Sequence, residues 1–378
     1  MLYQLALLAP LFAIRVAAVG TAFGYATGTT GGGSAAAATP TSNAQLVSWL
    51  GDSTARVIVL TTMFDFTGTS VSGTGCKPWT CSPNPQLAID KDSWCENYEP
   101  SAATTSITYD AAGLSPIYVG SNKTLLGKGS NAGIKGTGLY LQGVQNVIIQ
   151  NIRITTLNPE YVWGGDAIAI DGGSYIWVDH NYIDHIGRQF IATGYGAVTH
   201  TTFSNNVFNG QSTYSATCNA CQYWVAILTG NGDQITLALN YFYYTSGRGP
   251  HVGGTSGYTQ KIHIYNNYYV TVLGHAIDPE VGAYVLAEGN YFNAVTTPVL
   301  AGVGAAYVPT TSAQASACSS YIGRVCQVNA FSSSGTVSAA STSALTALAD
   351  STVKGASVMA ASAVGAYVQA NAGLGIVN

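Results

Sequence analysis

Residues 243–252 read YYTSGRGPHV, and the arginine of that run, Arg248, stands between Gly247 and Gly249 with Pro250 next. Only 13 of the 378 residues are lysine or arginine, so a cation fixed in a tight turn is a scarce group in an unusual place. Flanking glycines permit backbone angles closed to other residues and let a ligand or another chain approach closely. A guanidinium held there can stabilise negative charge that develops on a substrate oxygen. The plainer alternative is an exposed loop arginine whose glycines mark only the turn. Elsewhere, Cys218 and Cys221 form a lone C-x-x-C pair. That is too little for a zinc site and weak support for redox chemistry.

Charged residues make up 8% of the chain and hydrophobic ones 47%, with a net charge of −4. Disorder and nucleic-acid binding both require far more charge, so a neutral or nearly neutral substrate fits best. The opening LYQLALLAPLFAIRVAAVG has the length of a signal peptide, with the small-residue ending Val16-Ala17-Ala18. Cleavage after Ala18 is expected, leaving 19–378 as one secreted domain. No second apolar span of transmembrane length follows. Cys76, Cys81, Cys95, Cys218, Cys221, Cys318 and Cys326 suit an oxidising compartment. Asn122-Lys123-Thr124 is the single glycosylation sequon.

The elements that must position Arg248 are legible as a repeat. VIIQNIRI, IWVDHNYI, TFSNNVF, TLALNYFY, HIYNNYYV and VLAEGNYF each place an asparagine before aromatic or branched residues. With Asn151, Asn181, Asn206, Asn240, Asn267 and Asn290 as markers, successive gaps are 30, 25, 34, 27 and 23 residues. Periods of this size, with no helical pattern between the strands, predict a solenoid of short strands rather than a βαβ sheet. Stacked rungs bring equivalent asparagines together, where their amides can bond along the stack. An all-β sandwich has no reason to repeat an asparagine. The fold class expected is an all-β, right-handed parallel β-helix with short helices at its ends. Upstream, TSNAQLVSWLGD predicts a short helix with Ser42 as N-cap and Gln45 at capping-box spacing. ARVIVL follows as a strand, and 68–105 is loop-like. After 332 the sequence is rich in Ser, Ala and Thr, and helices covering the end of the solenoid are expected there.

Eight motifs in order carry a resemblance. They are AFGYATGTTGGGSA near the start, WCENYEP at 94–100, YVWGGDAI at 161–168, WVDH at 177–180, IGRQ at 186–189, YSATC at 214–218, TSGRGPHV at 245–252 and YVLAEGNYF at 284–292. Together they resemble the fungal-type pectin lyases, in the pectate lyase superfamily of polysaccharide lyase family 1, from about residue 20 to the C-terminus. That resemblance implies endo-type β-elimination on pectin, methyl-esterified polygalacturonate, with no cofactor and no metal. A base takes the proton from C5, charge builds on the ester carbonyl as an enolate, and the glycosidic oxygen on C4 leaves. The ester acidifies the C5 proton and removes the carboxylate charge, so a metal is less necessary.

By the same resemblance Arg248 matches the base. Arginine is protonated at almost any pH, so it needs desolvation and neighbouring cations to act so, or serves by stabilising the enolate. Arg188 matches a second cation of the cleft, where the calcium-dependent relatives carry acidic ligands. Asp166 matches a remaining acidic residue of that site and would orient Arg188 or Arg248 by a bidentate ion pair. His251 stands where the family has lysine. An unperturbed histidine is cationic only below about pH 6.5, so the activation of Arg248 differs here. Trp79, Trp94, Trp163 and Trp224 are expected on the cleft, where indole faces stack on sugar rings. Trp49 and Trp177 are expected in the core, and His180 within a rung. The resemblance pairs Cys76 with Cys95, Cys81 with Cys218 and Cys318 with Cys326, leaving Cys221 as the odd thiol. A monomer is expected, with no nucleic-acid or membrane partner. Three alternatives remain open: a calcium-dependent pectate lyase, a polygalacturonase and a non-catalytic pectin-binding β-helix.

Overall fold

The computed structural model describes residues 18–377, so the leader expected over 1–18 lies, apart from Ala18, outside the described residues. The repeat folds into a parallel β-helix whose rungs each contribute strands to three faces. The first face stacks Ile117–Val119, the start of Leu139–Gln150, the start of Ile168–Asp179, Ile191–Thr193, Ala226–Leu228 and His251–Val252. Strand residues alternate in direction. Leu139, Ile168, Ile191 and Ala226 point inward, and their neighbours Tyr140, Ala169, Ala192 and Ile227 point out. Tyr118, Tyr140, Ala169, Ala192, Ile227 and His251 therefore form one outward row along the axis. Neighbours in it are about 4.8 Å apart.

The second face stacks the end of Ile168–Asp179 with Val198–Ser204, Asp233–Ala238 and Gln260–Tyr265, and the third stacks Arg153–Leu157, Tyr182–Ile186, Val207–Asn209 and Tyr241–Tyr243. The corner between them explains the asparagines. A residue in the left-handed conformation turns each rung: Asn151, His180, Asn205, Leu239, Asn266 and Gly289, with φ of 56°, 52°, 51°, 61°, 53° and 61°. The next residue joins the ladder. The Nδ2 of Asn181, Asn206, Asn240, Asn267 and Asn290 donates to Oδ1 of the following asparagine at 2.9–3.1 Å, ending on Asn329. Asn151 is one residue out of register with this ladder. Gln150 pairs with Asp179, so Asn151 aligns with His180, and the true counterpart of Asn181 is Ile152. Asn151 instead donates to Gly127 O and Gly129 O. Inside the corner Phe208, Phe242, Tyr269, Phe292 and Phe331 stack at centroid spacings of 4.5–5.2 Å. The fully buried Phe208, Phe242 and Phe292 each add about 1.5–3 kcal/mol by removing apolar surface from water.

One end is covered by a helix, and the terminal segments are not all placed as expected. Helix Asn43–Gly51 buries Leu46 and Leu50 over the first rungs. Ser42 accepts from Gln45 N–H at 3.2 Å, but the Gln45 side chain bonds Thr41 N–H rather than Ser42. The stretch 68–105 is not a loop. Ser70–Lys77 pairs antiparallel with Ala103–Asp110, and Leu87–Ile89 and Tyr161–Val162 complete a small second sheet beside helix Trp94–Tyr98. Its strands are rich in Ser, Thr and Gly, so alternation of polar and apolar residues is hidden. The C-terminal helix Ala361–Asn371 runs across the rungs instead of capping them. Val364 and Val368 cover Tyr268, and beyond the helix Gly373 N–H reaches Asn205 O. Trp177 is buried and donates to Ser204 Oγ, whereas Trp49 is only half-buried, with Arg56 over its ring at 5.4 Å. Disulfides join Cys76 to Cys95, Cys81 to Cys218 and Cys318 to Cys326. Cys221 is a buried free thiol, its pKa pushed up to about 11 by burial. No helix among the described residues is long and apolar enough to cross a membrane.

Candidate active site

Arg248 lies in the turn from Tyr241–Tyr243 on the third face to His251–Val252 on the first. Its φ of 50° is a left-handed conformation that a side chain adopts only where its surroundings hold it. Here the Arg248 N–H donates to His275 Nε2 at 3.1 Å, and its carbonyl accepts from Ala226 N–H at 2.7 Å. A Cβ on Gly247 would lie 2.5 Å from the Tyr223 ring, so tight packing requires glycine there. At Gly249 the nearest atoms are 3.7 Å away, and space makes no such demand. The exposed turn read from the glycines is therefore corrected. Gly247, Gly249 and Pro250 are buried and Arg248 is half-buried, because Tyr223 and the next rung close around them.

The Arg248 guanidinium sits 4.8 Å from the Trp224 ring centroid and 5.7 Å from that of Tyr223. Burial lowers its pKa from the ordinary arginine value. The Tyr223 phenol opposes that shift, Arg188 adds to it, and Asp278 opposes it more weakly. Arg188 stacks on Trp163 at 4.1 Å, and its Nη1 donates to both oxygens of Asp166 at 2.8 and 3.2 Å. The ion pair expected of Asp166 thus forms with Arg188, through one nitrogen rather than a two-nitrogen fork. Gln189 N–H, at 2.8 Å, shares the same carboxylate oxygen, Oδ1.

One rung along, His251 pairs in register with Asp278, and its Nδ1 lies 2.5 Å from Asp278 Oδ2. Burial alone would raise the Asp278 pKa. The hydrogen bond to His251 and the charges of His251, His275 and Arg248 outweigh burial and hold it below the usual carboxylate value.

A cavity of about 480 Å³ is walled by Trp94, Tyr98, Trp163, Trp224, Arg188 and Arg248. It meets a second, of about 430 Å³, that holds Asp166, Tyr140 and Tyr195, and Arg188 and Ile227 line both. The two form a groove along the outward row of the first face. Three of the four cleft tryptophans line it. Trp79 does not: it packs 6.5 Å from Trp94 and 5.9 Å from Trp224 and backs both rings. His251 stands beside the groove, next in the row after Ile227. Asn122 is exposed, far from it in the fold, with Oδ1 accepting from Asn146 Nδ2.

A family model described as pectate lyase matches residues 3–377. The chain belongs to the pectate lyase family. Among the relatives of this pectate lyase family chain, a probable pectin lyase A of Aspergillus fumigatus is 49% identical over 364 residues, 95% of each protein. Pectin lyase B of Emericella nidulans is 47% identical over 376 residues, 98% of each. Among solved structures, a pectate lyase of a Bacillus species in complex with trigalacturonate superposes with a TM-score of 0.61 at 18% identity, covering 93% of this chain and 98% of that one. Pectate lyase II of Xanthomonas campestris gives 0.57 at 19%, covering 94% and 98%. These likenesses agree with the β-helix and with the family resemblance read from the eight motifs.

Several residues of the site escaped the sequence. Gln86 is fully buried, accepts from Trp224 Nε1 at 2.9 Å, and donates to Gly187 O at 2.9 Å, fixing one tryptophan and the Arg188 loop together. Nothing local marks it. Tyr98 stacks on Trp94 at 6.2 Å. Its i, i+4 spacing was a usable signal had 94–98 been read as a helix. Tyr223, His275 and Asp278 surround Arg248 from other rungs, and only the fold brings them there.

Proposed function

We propose that this chain is a secreted pectin lyase that cleaves methyl-esterified polygalacturonate by β-elimination without calcium. The observation that carries this is the pairing of Arg248 and Arg188 in an indole-lined groove, where burial and the second cation lower the pKa of the first. The C5–H bond of a galacturonate ester breaks toward Arg248, whose neutral guanidine takes the proton. The electron pair passes through the enolate to form the C4–C5 double bond, and the C4–O bond breaks with the leaving oxygen taking a proton from water, while Arg248 later returns its proton to solvent. Arg188, held by Asp166, faces the developing oxyanion, and the half-buried indoles stack on the sugar rings. The relatives named pectin lyases support the ester as substrate. So does the Asp166 carboxylate, which is engaged by Arg188 and Gln189 rather than available to a cation. Three disulfides support an oxidising, extracellular location, with Asn122 as a glycan acceptor.

The test compares highly methylated pectin with fully de-esterified polygalacturonate, each with chelator or with calcium, by the ultraviolet absorbance of the unsaturated product. Product from the methylated polymer regardless of chelator is expected. Product from the de-esterified polymer only with calcium would instead favour a pectate lyase, new reducing ends without absorbance a hydrolase, and no cleavage a binding module.

A further inference from the structure

We infer that His275 is a positioning residue that holds Arg248 in its reactive conformation only while its Nε2 is unprotonated. The geometry fixes the direction of the bond. A backbone N–H can only donate, so at 3.1 Å from Arg248 N the His275 Nε2 must present its lone pair. The neutral ring then carries its proton on Nδ1. Arg248 sits at φ 50°, and three bonds clamp its turn: Arg248 N–H to His275, Ala226 N–H to Arg248 O, and Gly249 N–H to Ala276 O. Two of these are backbone pairs indifferent to pH. The third titrates. A proton on Nε2 would set two donors against each other and remove one of the three restraints on a left-handed arginine.

The surroundings of His275 keep it neutral. Its ring stands edge-on to Tyr223 at 5.6 Å, and Tyr223 also packs against Gly247 and flanks the Arg248 guanidinium. Burial lowers its pKa from the ordinary histidine value. Asp278, 4.0 Å from Nε2, opposes that shift, while Arg248 and His251 add to it. These four, Tyr223, Asp278, Arg248 and His251, are the titratable groups that face the ring. With a depressed pKa the bond to Arg248 is intact above the ordinary histidine range and is lost as pH falls through the lower, folded value. His275 therefore sets the acid limb of the activity profile.

This rests on Arg248 acting on the substrate, and the experiment separates the two claims. Glutamine places an amide oxygen near the Nε2 position and does not titrate in this range. His275→Gln should keep kcat within about fivefold of wild type, as expected for exchange of one hydrogen bond, and lose the acid limb. His275→Leu should lower kcat by about 10–100-fold with KM nearly unchanged, as misplacement of a reacting group does. Nitrogen-15 NMR of the wild-type histidines gives an independent measure. The His275 Nε2 resonance should be that of an unprotonated nitrogen at neutral pH, titrating at the midpoint of the acid limb. A His275→Gln profile with the wild-type acid limb, or a His275 titration that does not coincide with that limb, would overturn the inference. If wild type itself yields no unsaturated product at any pH, it is the pectin lyase assignment that fails.

Discussion

Arg248, in the turn, and His251, on the first face, are three residues apart in sequence, with Asp278 of the next rung against the histidine. A lysine at 251 would place a positive charge there that persists well beyond neutrality. If charge at 251 assists the enolate or lowers the proton affinity of Arg248, a fixed cation there raises the rate. His251→Lys then extends activity to higher pH, with less effect in acid. Comparison of the two pH-rate profiles checks this, and coincident profiles would mean that position 251 contributes no charge to the transition state. His251 was visible in the sequence as a departure from the family pattern. Its carboxylate partner was not, because 27 residues of chain separate His251 from Asp278.

The asparagine ladder and the C-terminal ion cluster set the rigidity on which the groove depends. Asn240 Oδ1 accepts from both N–H and Nδ2 of Asn206, while its Nδ2 donates to Phe203 O and Asn267 Oδ1. Asn240→Ala leaves several of these buried groups without partners, at roughly 1–3 kcal/mol each. Chemical denaturation should show a loss of at least about 2 kcal/mol. Glu288 is fully buried, with His263 at 2.9 Å and Arg324 Nη2 on Oε1, and Arg324 Nη1 and Gln327 N–H on Oε2. Burial alone would raise its pKa, but the bonds to His263 and Arg324 outweigh that and bring it from 4.5 down to about 2. A depressed carboxylate contributes stability that is complete above its unfolded pKa and is lost as pH falls through the folded one. Glu288→Gln should therefore destabilise by about 3–5 kcal/mol near neutrality, a gap that narrows between about pH 4.5 and 2. Thermal unfolding of both proteins across that range tests it, and a gap independent of pH would contradict it.

Across the molecule, what sequence conveyed depended on whether the controlling contact repeats. The ladder repeats on successive rungs from Asn181 to Asn329, so the solenoid was legible even though Asn151 belongs to the turn position and Asn329 was not counted. The small sheet over 70–110 and the helix Ala361–Asn371 lie outside the repeat. Their placement follows from contacts with distant rungs, such as Val368 on Tyr268, that no local pattern announces. The site divides in the same way: Arg248, Arg188 and three tryptophans were readable from motifs, while Gln86, Tyr223 and His275 enter only through the stacking of rungs. The whole β-helix thus presents a groove lined by two arginines, Arg188 and Arg248, and by three tryptophans. The most direct test follows unsaturated product from highly methylated pectin in excess chelator, for wild type and Arg248→Lys together. Wild type should be undiminished by chelator, and the variant slower by about 100-fold or more with a similar thermal transition, because lysine lacks the planar fork. A variant near the wild-type rate, or a wild type active only when calcium is restored, would contradict the account.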